Sequence, residues 1–394
     1  MNTKILLMFM TLIAVVSDTM LHPFFPQFFG ERFNMWQPEH VGYYLAASCL
    51  VIMISFPFWA RVQKKVNLFT LLIFTQCLAG ILCIGMYWVQ ELYMFWICAM
   101  SMLFFKGSYL LIYPYIMRLS TEEKHSTSIS ILSVIVHLGA IVGAFIGGGI
   151  VDYLNTGYIF IIMALGDAFQ FLMCIYIKFI RKHSVKKEKI EQTPTPFFRI
   201  KTPILKIGLI TMLLYFSTFF IRPFFSIYWE AISQYNHKLV SGFVYSIPAL
   251  VGLFALWFTH KYKSDKPYNV KIINAFVLGS IGIGLQGVGV DYIVFIGRII
   301  YGWAVFQLYV QFDVVAFKFS TPDEYATDYS RIHLLQNFGV LTSSIIAGYT
   351  VDKISLTAPF WCSVIGFCIT LFIFYRSFKT ETSQEQNTSL HTST

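Results

Sequence analysis

Asp18 and His22 stand four residues apart in an otherwise apolar stretch, so on a helix they share a face. Burial and a cationic neighbour push a carboxyl's proton affinity in opposite directions, which lets such a pair exchange protons near neutral pH. Lys106 has Tyr109 and Tyr113 on its own helical face at i+3 and i+7. It either holds an anion or neutralises Asp18 or Asp167. Asp167, followed by Gln170 at i+3, is a further proton-carrying candidate. Arg222 and Arg298 are permanent cations whose planar guanidinium groups suit carboxylate or phosphate. For Arg222 an ion pair with Glu230 or Asp18 is the structural alternative. Gln311 shares a face with Gln307 four residues before it. His137, a candidate for proton coupling, and Asn337, a candidate for substrate binding, are polar positions inside two further apolar stretches.

These residues matter because of where they sit. The chain has 394 residues, 56% hydrophobic and 12% charged, against about 25% charged in soluble domains. Its apolar blocks match the roughly 20 residues a helix needs to cross a bilayer. Twelve spans are expected: 4–29, 41–60, 68–88, 92–118, 127–150, 157–180, 205–229, 239–260, 270–289, 292–318, 327–350 and 356–376. A charge at the bilayer centre costs about 2.5 to 3.5 kcal/mol on insertion scales, so each one requires a partner or a wet cavity.

Of the 29 Lys and Arg, Arg32, Lys238 and Lys353 fall on one side of these spans, and Lys106, Arg222 and Arg298 lie well inside them rather than at their ends. The remainder gather on the other side, which the positive-inside rule makes cytoplasmic, with both termini. The net charge of +9 is therefore topological, and no nucleic-acid partner is expected. All seven cysteines lie in apolar spans without metal-ligand spacing, and read as packing residues. The chain shows no phosphate-binding loop, metal cluster or catalytic triad. We expect no enzyme, no metal and no cofactor, with a proton gradient as the drive.

Sliding the sequence by 200 positions aligns Ser17 and Pro23-Phe24-Phe25 with Ser217 and Pro223-Phe224-Phe225, Tyr109 with Tyr309, Gly139 with Gly339, and Val151-Asp152 with Val351-Asp352. His137 meets Asn337 in the same register, which points to two sides of one cavity, and the Phe24 and Phe224 rings could wall it. Two halves of six spans each enter the membrane with the same orientation, as parallel repeats. The expected division is 1–180 and 205–378 for the bundles, 181–204 for a basic cytoplasmic linker, and 379–394 for a cytoplasmic tail.

Twelve spans, a parallel 6+6 repeat and a basic central loop resemble the major facilitator superfamily, which implies an all-α membrane fold of two six-helix bundles. The family's loop motif, Gly-x-x-x-Asp-Arg-x-Gly-Arg-Lys, is matched at Arg61, Lys64 and Lys65, which the resemblance makes gating residues. Its acid is replaced by Ala60 and both glycines are lost. The stretch Gly139-x-x-x-Gly143-x-x-x-Gly147-Gly148-Gly149 resembles the family's antiporter motif, with Ala144 where its proline would stand. Glycines spaced by four also permit plain close packing.

The stretches around Asp18, Lys106 and His137 are similar to bacterial exporters of carboxylate siderophores of the legiobactin and vibrioferrin type. The resemblance implies a monomeric, proton-coupled antiporter in the inner membrane, exporting a small anionic metabolite by alternating access. Lys106, Arg222, Arg298, Tyr109, Tyr113, Phe24, Phe224, Gln311 and Asn337 would meet substrate, while Asp18, His22, His137 and Asp167 would carry protons. A proton-linked importer of a sugar, nucleoside or organic acid, and a receptor or scaffold without transport, are the alternatives.

Overall fold

A computed structural model describes residues 3–118, 125–180, 201–262, 267–320 and 325–391. Most of the expected linker, 181–200, lies outside them. The fold is all helical. The first crossing is α1 (Thr3–Thr19) and α2 (Phe25–Phe33), joined through a 3-10 turn at His22–Phe24. Pro23 causes the break, because it has no N–H to donate and its ring crowds the preceding turn. The seventh crossing repeats this device, with α9 (Thr202–Phe219), a 3-10 turn at Arg222–Phe224 containing Pro223, and α10 (Phe225–Ile232).

Between them run α3 (Pro38–Gln63), α4 (Leu68–Trp88), α5 (Leu92–Lys106) with α6 (Ile112–Arg118), α7 (His125–Tyr153) and α8 (Tyr158–Ile175). The second half continues as α11 (Lys238–Lys261), α12 (Tyr268–Gln286), α13 (Asp291–Phe319), α14 (Tyr325–Lys353) and α15 (Ala358–His391). Among the described residues, eleven crossings are long and apolar enough to span a bilayer on hydropathy. The twelfth, α14, falls short because it carries Asp328, Arg331, His333, Gln336 and Asn337. Its Arg331 donates to Asp328 at 3.0 Å, and both are buried. Large apolar side chains such as Ile54, Phe74 and Ile97 are exposed, as a lipid-facing surface requires.

The chain gathers into two compact units, 1–191 with 223–253, and 192–222 with 254–394. In the first, α1 packs on α7 and α8, and α4 on α5 and α8. In the second, α9 packs on α14 and α15, and α12 on α13 and α15, which is the same scheme moved by 200 positions. The 200-residue repeat is therefore a repeat of packing.

One departure from the repeat matters. The fourth crossing is interrupted after Lys106 by a 3-10 segment, Gly107–Leu111, whereas α13 runs unbroken for 29 residues. A Cβ on Gly107 would overlap Ser55 of α3, so only glycine lets the tightened turn settle there. Mid-helix 3-10 segments often mark functional hinges.

Candidate functional site

Asp18 is the penultimate residue of α1, just ahead of the proline break. Lys106 is the last residue of α5 before the 3-10 segment, and Asp167 sits in the middle of α8. The three meet. Lys106 Nζ lies 2.6 Å from Asp18 Oδ1 and 2.9 Å from Asp167 Oδ1. Cys83 Sγ of α4 donates to the other Asp167 oxygen at 3.4 Å.

Side-chain exposure falls from 40% at Asp18 through 8% at Lys106 to 0% at Asp167. The triad therefore has an open end and a closed end. Two carboxylates and one ammonium leave one negative charge when all are ionised, and a single proton makes the group neutral.

One close approach delivers the two acids. A Cβ on Gly166 would overlap the Ser17 hydroxyl, so α8 and α1 touch there through a residue that has no side chain. Asp167 and Asp18 are their immediate neighbours in sequence. The second unit keeps this contact, with Gly366 against Ser217. The positions equivalent to Asp18, Lys106 and Asp167 are there Thr218, Phe306 and Phe367. Phe367 is fully buried against Phe276 with ring centroids 5.7 Å apart. The same skeleton thus carries charge in one unit and aromatic packing in the other.

Tyr109 follows Lys106 in the 3-10 segment and is buried, and Tyr113, in α6, is half-buried. Gly139 and Gly143 pack on α1, where a Cβ would stand 2.8 Å from Val15 and 2.7 Å from the Val16 carbonyl respectively. This stripe therefore seats α7 on the helix that bears Asp18. His22 opens the 3-10 turn, is exposed, and faces the Phe25 ring at 6.0 Å. His137 is half-buried, with Nδ1 2.8 Å from the Ser133 carbonyl one turn before it.

Phe24 and Phe224 are core residues, and Phe24 packs toward Gly242. Arg222 is exposed with its guanidinium over the Phe219 ring at 4.6 Å. Arg298 is buried, and donates to Gln286 of α12 at 3.4 Å. Gln311 is buried on α13 and Asn337 half-buried on α14. Arg61, Lys64 and Lys65 are exposed at the end of α3.

Three features go beyond what residue spacing shows. Cys83 sits in an apolar span where packing is expected, and it donates to the buried acid; nothing in its spacing betrays that role. Asp152 at the end of α7 accepts from the backbone N–H groups of Lys238 at 2.9 Å and Leu239 at 2.7 Å, and so caps the start of α11. Lys238 also pairs with Glu31. Glu230 accepts from Gln27 at 2.9 Å and Ser241 at 3.1 Å. The repeated Val-Asp at 151–152 was the available signal for this cluster. Arg32, one of the few cations on its side of the spans, donates to the carbonyls of Met86, Tyr87 and Val89 at 2.8, 2.8 and 2.9 Å, which closes the end of α4.

Helices long and apolar enough to cross a membrane, repeated twofold, with ionisable groups paired inside the first unit, fit a multi-pass membrane transporter. The chain belongs to the Major Facilitator Superfamily, whose family profile matches residues 7–306, and is therefore a transporter and not an enzyme. No curated protein matches it. Among solved structures it is similar to the nucleoside transporter NupG, at 14% identity over 95% of this chain and 99% of that one, with a TM-score of 0.73. It is similar to a POT family transporter in complex with 5-aminolevulinic acid, at 15% identity over 96% of each chain, with a TM-score of 0.78. The human organic anion transporter MFSD10 (TETRAN) aligns at 12% identity over 94% of this chain and 98% of that one, with a TM-score of 0.70. Identities this low establish shared fold alone.

Proposed function

We propose that the protein is a proton-coupled secondary transporter working by alternating access, with the Asp18–Lys106–Asp167 triad as its coupling site. The observation that carries this reading is a single ammonium shared by two carboxylates of unequal exposure. Asp18 is the partner that solvent can reach, so a proton arriving there neutralises it and leaves Lys106 to Asp167. Removal of the proton draws Lys106 back. The change of partner acts on α1, α5 and α8 together, beside the proline break and the 3-10 hinge.

The charge count bears on direction. An anion that binds Lys106 itself gains from protonation of Asp18, and would travel with the proton; a cationic substrate drawn to the carboxylates would compete with it. We place the substrate contact for an anionic metabolite, such as a carboxylate siderophore, on Arg222, and assign export by proton antiport across the bacterial inner membrane, with both termini cytoplasmic. Proton-linked import is the second reading, favoured by the triad's negative charge if the substrate anion reaches Lys106.

The test uses the full chain in proteoliposomes with an imposed pH gradient and a panel of citrate-derived chelators. The expected result is gradient-driven flux of at least one chelator, lost in Asp18→Asn while exchange without a gradient continues. Gradient-driven flux that survives Asp18→Asn rejects the coupling site. A fall in substrate affinity at low pH supports antiport, and a rise supports the import reading.

A further inference from the structure

Asp167 is sealed from solvent, so a proton that leaves it by any route other than Asp18 must cross the interior of the first unit. One turn away on α8 is Gln170. On α4, the position where a Cβ of Gly80 would lie 3.4 Å from Asp167 Cβ marks the level of the acid, and Gln76 is one turn from Gly80. The third and sixth crossings run in opposite directions, so Gln76 and Gln170 lie on the same side of Asp167, toward the α4 start and the α8 end. Gln76 is 1% exposed, and among the described residues neither atom of its amide has a hydrogen-bond partner. Gln170 is 2% exposed with Oε1 in the same condition, and the buried Tyr109 hydroxyl has the Thr11 side chain as a polar neighbour. Thr75 and Ser108, beside Gln76 and Tyr109 in sequence, bond each other at 2.7 Å.

The fold does not demand polarity on the α4 side: the equivalents of Gln76, Thr75, Ser108 and Cys83 in the second unit are Phe276, Ala275, Leu308 and Ile283, all buried, whereas Gln170 and Tyr109 correspond to the polar Thr370 and Tyr309. Buried amides and hydroxyls with unmet bonds are costly unless something small supplies the partners. Bound water does so where two to four polar groups converge.

We propose that a short file of bound water lies among Gln76, Gln170 and Tyr109 and is the route by which Asp167 exchanges its proton with the side of the membrane at the α4 start. The proposal rests on the coupling reading above. In the step itself the Asp167 O–H bond breaks as a bond to the adjacent water forms. The excess proton passes along the file, and the carboxylate left behind is held by Lys106. The other titratable or charged groups placed against Asp167 are Asp18 from α1, Lys106 from α5 and Cys83 from α4.

The test is infrared difference spectroscopy on the full-length protein in lipid nanodiscs, following the protonated carboxyl band that Asp167→Asn abolishes as H2O is exchanged for D2O. The wild type is expected to shift promptly. Gln76→Leu with Gln170→Leu is expected to slow the shift by roughly tenfold or more, and Gln76→Asn with Gln170→Asn to restore much of it. An unchanged rate in the leucine variant overturns the water file while the coupling reading stands. Absence of any titrating Asp167 band in the wild type overturns the coupling reading and the file together. Radiolytic hydroxyl labelling of the unaltered protein guards against misfolding of the variants: modification of buried Tyr109 well above that of buried Tyr228 is expected, and equal labelling of the two overturns the proposal.

Discussion

Lys106 shows how a buried cation is held by what surrounds it. Removing one member of a buried ion pair leaves an uncompensated charge, at a cost of about 3–5 kcal/mol. Lys106→Met should therefore lower stability by roughly that amount, measured by thermal unfolding in detergent. Adding Asp167→Asn to Lys106→Met should return much of the loss, because the sealed acid is the costlier orphan. Asp18→Asn, at the open end, should cost far less stability while removing pH-dependent transport. The sequence marked all three residues as expensive, since charges in apolar spans are few. It left open whether Lys106 neutralises one acid or the other; the geometry gives it both. It did not mark Cys83, because a thiol in an apolar helix has the same signature whether it packs or donates.

At the scale of elements, glycine positions decide which helices approach. Gly166 lets α8 meet α1 at Ser17, and the acids arrive because they are the next residues along. Gly166→Ala should cost about 1–3 kcal/mol through overpacking and impair the triad without touching a charge; Ser17→Gly in the same chain should recover much of the loss in a thermal-shift comparison. Helix ends matter too. Asp152 caps α11 through two backbone N–H groups, and loss of such a cap costs about 0.5–2 kcal/mol. Asp152→Ala should therefore speed hydrogen exchange at the Lys238 and Leu239 amides, read by mass spectrometry, and unchanged protection there would refute the cap. The apolar blocks made the crossings legible, and the two Pro-Phe-Phe sites announced the breaks in α1 and α9. The 3-10 turn after Lys106 was not legible, since it depends on how Gly107 meets Ser55 of another helix.

Across the whole molecule, a duplicated skeleton carries different interiors. Gly166 and Ser17 recur as Gly366 and Ser217, yet the second unit has Phe306, Phe367 and Phe276 where the first has Lys106, Asp167 and Gln76, and threonine in place of Asp18 and Gln170. Replacing a complete buried ionic group with packed apolar residues is often neutral or stabilising. The triple variant Asp18→Thr, Lys106→Phe, Asp167→Phe should accordingly unfold at or above the wild-type temperature while losing every pH response. A marked loss of stability would show that the triad is required by the fold.

Hydrophobicity, charge asymmetry and the 200-residue register are properties of the chain itself, so class, crossings and repeat could be read from it directly. The bilayer enforces them whatever the packing, because unpaired backbone groups and charges cannot remain in hydrocarbon. Which acids Lys106 serves, that Arg298 of α13 bonds Gln286 of α12, and that Asp152 holds the start of α11 were decided only when separate helices were packed. A pairing energy depends on distances of a few ångströms, and no spacing along one helix encodes the distance to another.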